Sequence, residues 1–477
     1  MKKYDLVIVG GGTGGLVSAH IAAGLGARVA LVERDSTGGD CLWTGCVPSK
    51  SLIAAADLVH RMRHAQRVGL KPVEPEIDFA AVMAHVRRAQ ATIEPHDSPQ
   101  RLRAAGVEVI RAEATFTGPR KLRAGERELR FRRAIVATGS EPVLPPVAGL
   151  SDADPMTSEN VWELEQLPAR VLVIGGGPIG CELGQAFARL GSAVVQLESL
   201  PRLLSREEPR ASELIEARLR ADGVDVRTGV SLDSVMPANA GAGTARLSDG
   251  SEVPFDRVLA ATGRSPRTAG LGLDAAGVDI APAGNVMTDA RLRTTNQAVF
   301  AVGDVTGGMP FTHVAAYHAR VAVPNALLGL RRRIDTSGIP WVTFTDPEVA
   351  HVGLTEDQAR ERWGDRAQIV DFDYAELDRA ITAGDPIGFV CLIGDPKSRL
   401  VGATVAAPAG GEAIAELSAW IAQRAKIDAV SRTVHAYPTF SEGPARAADE
   451  HIRRKLLNPR VRLLAKPALT LGRLLAR

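Results

Sequence analysis

The chain has 477 residues, more than one hydrophobic core usually supports, and at about 150 residues per domain its length fits roughly three domains. With 45% hydrophobic residues, 23% charged residues and a net charge of +2, the composition excludes a disordered chain and offers no basis for binding nucleic acid. No run of about 18 uncharged apolar residues occurs, and four cysteines in so long a chain do not make a secreted disulfide scaffold, so a cytoplasmic location is expected.

From the start, residues 4 to 9 form a short apolar run that enters Gly10-Gly11-Gly12-Thr13-Gly14-Gly15, after which residues 16 to 27 read as an alanine-rich helix. In this G-x-G-x-x-G turn Gly10 permits the tight bend, Gly12 lets the backbone approach a pyrophosphate, and Gly15 lets helix and strand pack closely. A second strand, residues 28 to 32, ends at Glu33, whose carboxylate is placed to accept both hydroxyls of an adenosine ribose.

Next comes Gly38-Gly39-Asp40-Cys41-Leu42-Trp43-Thr44-Gly45-Cys46-Val47-Pro48-Ser49-Lys50, opening a helix expected over residues 51 to 62. A disulfide closing so small a loop removes little unfolded-chain entropy, so redox work explains the pair better than stability does. A metal pair or two unrelated thiols are the alternatives; no second Cys/His pair of suitable spacing accompanies this one, and no metal site is expected. A helix N-terminus stabilises a thiolate, and Lys50, one turn beyond Cys46, adds positive charge, which makes Cys46 the expected thiolate of the pair.

The nucleotide plan recurs. Residues 171 to 174 lead into Gly175-Gly176-Gly177-Pro178-Ile179-Gly180, a helix to Leu190, a strand from 193 to 197, and Glu198; both glutamates lie 23 residues after their first glycine. Each copy closes on a strand ending in Ala-Thr-Gly, at Ala137-Thr138-Gly139 and Ala261-Thr262-Gly263. Two such sites suit one tightly held and one exchanging dinucleotide, as when a flavin accepts hydride from a nicotinamide. The first copy is expected to hold FAD, helped by Asp304 at the end of the apolar strand 298 to 302, whose carboxylate suits the ribityl chain. At the second, Glu198 favours the free ribose of NAD(H) over NADP(H), although Arg202 or Arg206 could bend back to take a 2'-phosphate.

These motifs, with Ala-Thr-Gly-Arg at 261 to 264, Gly303-Asp304 and Asp346-Pro347-Glu348-Val349-Ala350, resemble the class I pyridine nucleotide-disulfide oxidoreductases, over residues 4 to about 448. That family includes dihydrolipoamide dehydrogenase, glutathione reductase and mercuric reductase. The resemblance implies an α/β fold: two Rossmann-like dinucleotide-binding domains, for FAD and NAD(P), plus a C-terminal α+β dimerisation domain. The expected bounds are FAD domain 1 to 150, resumed at 271 to 335; NAD(P) domain 151 to 270; interface domain 336 to 450; and a basic tail, 451 to 477. It further implies that Cys41 is the interchange thiol, that Cys46 forms the charge-transfer complex with FAD, and that Lys50 pairs with Glu182 near the flavin and nicotinamide. Thr138, Gly139 and Ala315 then belong to the FAD site, and Gly263 and Arg264 to the NAD(P) site.

Relatives that act on disulfides carry a histidine before Pro-Thr as general acid/base, held by a later glutamate. Here the segment reads His435-Ala436-Tyr437-Pro438-Thr439-Phe440-Ser441-Glu442, so Glu442 is kept while Tyr437 stands in the histidine position. A tyrosine, with a reference pKa near 10, is a poor base at neutral pH. His435, two residues away on an extended segment, could share the face of Tyr437 and substitute for it, or could simply be packed. Asp40 stands where the family commonly has threonine and is expected to disfavour the Cys41 thiolate. No cysteine follows Cys391, so the delivery pair of mercuric reductases is missing. The chain therefore looks like a mercuric-reductase-like homodimer with an unidentified small-molecule or metal-ion electron acceptor, a disulfide and a quinone among the candidates. A dihydrolipoamide dehydrogenase and a non-catalytic flavoprotein sensor or subunit are the alternatives. The tail, residues 451 to 477, carries eight Lys/Arg and no Asp/Glu, with Pro459 and Pro467 expected to break any helix; such a segment can touch an anionic membrane surface or pack on its own dimer. Cys181 and Cys391 read as ordinary buried cysteines.

Overall fold

A computed structural model describes residues 3 to 456 and 459 to 476, with the backbone alone at 240, 459, 460, 462 and 464. The chain divides into two units: Met1–Arg61, Glu74–Arg202 and Leu219–Ile334 form one, and Met62–Val73, Leu203–Arg218 and Asp335–Arg477 the other.

In the first unit the β-branched strand Lys3–Val9 lies between Val29–Glu33 and Arg127–Val136, all parallel, with Glu108–Arg111 outside Val29–Glu33 and Val299–Ala301 also parallel to Arg127–Val136. Leu6, Val7 and Ile8 are fully buried because both faces of this sheet are covered. The second copy has the same order in a four-stranded parallel sheet, Asp225–Thr228, Ala193–Glu198, Arg170–Ile174, Arg257–Ala260. Beside it, Leu232–Pro237, Gly243–Leu247 and Glu252–Phe255 form an antiparallel sheet whose first hairpin spans the Pro237 to Gly243 loop. The first helix runs Thr13–Gly24 rather than 16 to 27, because it starts directly from the glycine turn and its last carbonyls are closed by the N–H groups of Leu25, Gly26 and Ala27.

In the second unit five antiparallel strands lie in the order Pro340–Thr343, Glu348–Gly353, Leu400–Ala407, Phe389–Gly394, Gln368–Asp373. Their apolar faces share one core with the helices Gly410–Ala422 and Glu442–Leu456 through Val352, Val405, Leu417 and Ala447. The tail corrects the expectation from its prolines, since Pro459–Leu475 is a helix. Proline at the first helical position lacks only an N–H that would be unpaired there anyway, and Pro467 costs the single bond to the Leu463 carbonyl. Residues 457, 458 and 477 of the tail lie outside the described residues. Among the described residues no helix is long and apolar enough to cross a membrane.

Candidate active site

Both glycine turns have one geometry. Gly10 takes φ +103° and Gly175 φ +114°, and a Cβ would stand 2.3 Å from the Ala137 carbonyl oxygen or 2.4 Å from that of Ala261, so only glycine closes either turn. A Cβ at Gly15 or Gly180 would press into the Gly10 or Gly175 carbonyl, which is how closely each helix lies on its strand. The helices Thr13–Gly24 and Pro178–Arg189 start after Gly12 and Gly177 with no side-chain cap and no acid in the first turn. Such bare N–H groups fit a phosphate. Glu33 accepts from the N–H of Gly11 at 2.5 Å and of Asp35 at 2.8 Å; Glu198 accepts from Gly176 at 2.7 Å and Leu200 at 2.8 Å. Each carboxylate thus sits at the rim of its turn, where a ribose would lie, and these features fit a dinucleotide at both.

Cys41 lies on the short helix Gly39–Trp43 and is half-buried, while Cys46 is exposed and is the first residue of the helix Cys46–Arg63. The loop is pinned by the Trp43 indole donating to the Thr37 carbonyl at 2.8 Å and the Trp162 indole to that of Thr44 at 2.9 Å. A Cβ at Gly39 would come within 2.5 Å of the Gly12 Cα, so the cysteine loop is seated on the first phosphate turn. Cys46 Sγ is 3.5 Å from the hydroxyl of Thr312, the first residue of the helix Thr312–Leu328, and so meets a second helix start. Lys50 Nζ is 2.8 Å from Glu182, which is buried on the Pro178–Arg189 helix. Farther along, Asp222 takes His60 at 3.1 Å and Arg189 at 2.9 Å, and Arg189 also holds Asp57, binding the cysteine helix to the Pro178–Arg189 helix and so setting the Lys50 pair.

The hydrogen bond from Cys41 is the largest influence on the Cys46 thiol; with Thr312 and Lys50 it outweighs burial and lowers the pKa to about 6. The same bond, with burial, raises Cys41 well above the ordinary thiol range. The pair is therefore asymmetric, a thiolate at Cys46 held by a neutral thiol at Cys41.

Asp40 corrects one expectation. Its carboxylate pairs with Arg264 and lies 3.4 Å from Arg267, so two guanidiniums compensate its charge, and it is not among the main influences on Cys41. Arg264, expected at the NAD(P) site, donates to Asp40, to Ser140 and to the Ser158 hydroxyl at 3.0 Å. Ser140 in turn donates to Asp304 at 2.7 Å, and Arg267 also pairs with Glu159. One polar chain thus joins the cysteine loop to Asp304, whose pKa is raised chiefly by burial. Thr138 donates to the Arg267 carbonyl at 2.7 Å; Gly139 and Gly263 have φ +72° and +126°; and Ala315 lies within contact distance of Gly303 and Gly14. Ser140 and Arg267 are not marked by the motifs themselves, although Ser140 directly follows Ala-Thr-Gly at 137 to 139 and Arg267 lies three residues past Arg264. Thr312 lies outside the motifs too, and no local signal marks it.

In the second unit His435 and Tyr437 do not share a face. His435 is turned inward, its Nε2 2.7 Å from Glu416 and its Nδ1 2.9 Å from the Thr433 carbonyl. Tyr437 is exposed, and its hydroxyl donates to Asp378 at 2.9 Å, an interaction that raises its pKa further. Glu442 pairs with Arg446 at 3.1 Å. Cys181 is buried against the Gly176 carbonyl with its pKa pushed up to about 12, and Cys391 is buried and likewise raised. Among the described residues no cluster of His, Cys, Asp and Glu could hold a metal ion.

Known proteins match along nearly the whole chain. The pyridine nucleotide-disulphide oxidoreductase model matches residues 4–319 and its dimerisation domain residues 339–448, which supports a homodimer. A mercuric reductase of Streptomyces lividans is 37% identical over 93% of this chain and 95% of its own length; a dihydrolipoyl dehydrogenase of Thermus scotoductus is 35% identical over 94% and 97%. Among solved structures, the Cu(II) complex of the HOCl-induced flavoprotein disulfide reductase RclA from Escherichia coli superposes with a TM-score of 0.85 at 28% identity, covering 94% of this chain and all of that one. LpdA from Mycobacterium tuberculosis gives 0.86 at 26%, with the same coverage. The chain belongs to the pyridine nucleotide-disulphide oxidoreductase family, as an FAD- and pyridine-nucleotide-dependent disulfide oxidoreductase.

Proposed function

We propose that the chain is an NADH-driven reductase whose Cys41–Cys46 pair hands electrons to a metal ion, as a cytoplasmic homodimer with the domain bounds read from the sequence. The asymmetric thiol pair beside Lys50, together with a tyrosine in the proton-transfer position, carries this reading. Bound FAD supplies the redox coupling between the nicotinamide and the two sulfurs. The chain's own part is to hold the nucleotides on the glycine turns, to keep Cys46 ionised, and to hold the proton on Cys41.

A disulfide acceptor requires Cys41 to lose that proton to a base. Tyr437, hydrogen-bonded to Asp378, is no such base at neutral pH, and His435 is engaged with Glu416. A thiophilic metal ion displaces thiol protons by coordination and needs no protein base. The E. coli relative solved with Cu(II) supports the same direction. Glu198 beside the second turn supports NADH; Arg202 lies in the same unit, whereas Arg206 falls in the other.

The test is NADH and NADPH consumption by the purified holoprotein with cupric and mercuric ions, quinones, lipoamide and glutathione disulfide. Metal-dependent NADH turnover should fall on the order of a thousandfold in Cys41→Ser, and Tyr437→His should raise lipoamide turnover. Fastest turnover with lipoamide in the unaltered protein, or metal turnover that survives Cys41→Ser, would overturn the proposal. The basic tail helix, with Leu463, Leu469 and Leu474 exposed, suits weak contact with anionic lipid; unchanged liposome binding at low salt after removal of residues 451 to 477 would end that part.

A further inference from the structure

Away from both glycine turns, the first unit holds a cavity of about 220 Å³ where the strand Val299–Ala301 and the end of the helix Thr312–Leu328 meet. Its walls carry four arginines, Arg133, Arg291, Arg293 and Arg331, with Asn325 and the ring of Phe300. One carboxylate serves them: Asp289 takes Arg293 through Nε at 3.0 Å and Nη2 at 2.8 Å. Among the described residues no carboxylate lies within ion-pair distance of Arg133, Arg291 or Arg331. Arg133 donates only to carbonyls, those of Ala326 at 3.2 Å and Arg132 at 3.3 Å, and its pKa is lowered by burial first and then by Arg132 and Arg120.

The frame around these side chains is built rather than loose. Asn325 is buried, donates to the carbonyls of Arg291 at 3.2 Å and Arg332 at 2.9 Å, and accepts from the Arg332 N–H at 3.0 Å. One amide thereby joins the two arginine-bearing loops. Like charges gathered in a partly desolvated recess repel each other, and a multivalent anion relieves that repulsion. Guanidinium groups match phosphate oxygens in pairs, and the volume, about seven times the roughly 30 Å³ share of a water molecule, admits a diphosphate-sized group.

We propose that this arginine-lined cavity binds a small phosphate-bearing anion, at a site distinct from both dinucleotide turns. The probe is inorganic pyrophosphate, titrated into the FAD-loaded protein at constant ionic strength set with potassium chloride, and followed by calorimetry and Tm. Saturable binding is expected, tighter than for orthophosphate. Arg291→Gln and Arg331→Gln should each weaken it about tenfold while leaving NADH oxidation unchanged. Arg333→Gln, an exposed neighbour outside the lining, should leave it intact and serves as the folding and charge control. Binding no greater than chloride produces, or binding unaltered in both lining variants, would overturn the proposal.

Discussion

The two nucleotide-binding copies share a turn but differ in what stands over it. Gly10 and Gly175 bend alike, and Glu33 and Glu198 are each held by the N–H groups at the equivalent two positions, Gly11 and Asp35 or Gly176 and Leu200. Yet a Cβ on Gly12 would meet the Gly39 Cα of the cysteine loop and one on Gly14 would meet Val302 and Ala315, whereas among the described residues nothing lies within 4 Å of a Cβ built on Gly177. The same turn geometry thus yields an enclosed site and an open one. Enclosure suits a resident prosthetic group and openness an exchanging substrate, which is the proposed assignment of FAD and NADH.

The sharpest way to break this comparison is a matched pair of substitutions. Gly10→Ala should yield protein without flavin and, from backbone strain alone, about 1–3 kcal/mol less stable; Gly175→Ala should keep its flavin and lose nicotinamide binding. Flavin content and NADH titration read both, and the reverse pattern would exchange the two sites. Next, Glu198→Ala should raise KM for NADH about tenfold, in line with losing a hydrogen bond to a charged group, and narrow the preference over NADPH. Steady-state kinetics with each nucleotide checks it, with kcat nearly unchanged.

The smallest effect concerns the helix start over the enclosed site. In the reduced protein Cys46 has a pKa lowered to about 6, so it is mostly thiolate at pH 7 and gains its proton as pH falls below that value. Thr312→Val removes one hydrogen bond to the thiolate, worth about 0.5–1.5 kcal/mol. The alkylation midpoint of Cys46 should therefore move up, and its reaction with iodoacetamide at pH 6 should slow. An unmoved midpoint would remove Thr312 from the account.

What could be read from the sequence was local. Glycine turn, helix and terminal glutamate lie within 23 residues of one another, directly after the strand, and both the turn chemistry and the strand pattern act over that range. Partnerships across the chain were not legible. Asp40 meets Arg264 and Arg267 more than 220 residues away, so its charge looked unopposed in sequence. Thr312 reaches Cys46 across 266 residues. In sequence His435 has Tyr437 as its neighbour, but Glu416 on the Gly410–Ala422 helix decides where it points. The tail departs from its expectation for a different reason: whether a proline breaks a helix depends on its place in the turn, and Pro459 opens one.

With FAD in the enclosed site as proposed, the close approach of Gly39 to Gly12 makes the cysteine loop a latch across that site's doorway. Departure of the flavin would then require the latch to lift by local unfolding, so its residence time would depend on the opening of that loop as well as on the affinity of the pocket. The same gate would stand before reloading of stripped protein, so a loosened loop would shorten retention and speed reloading together.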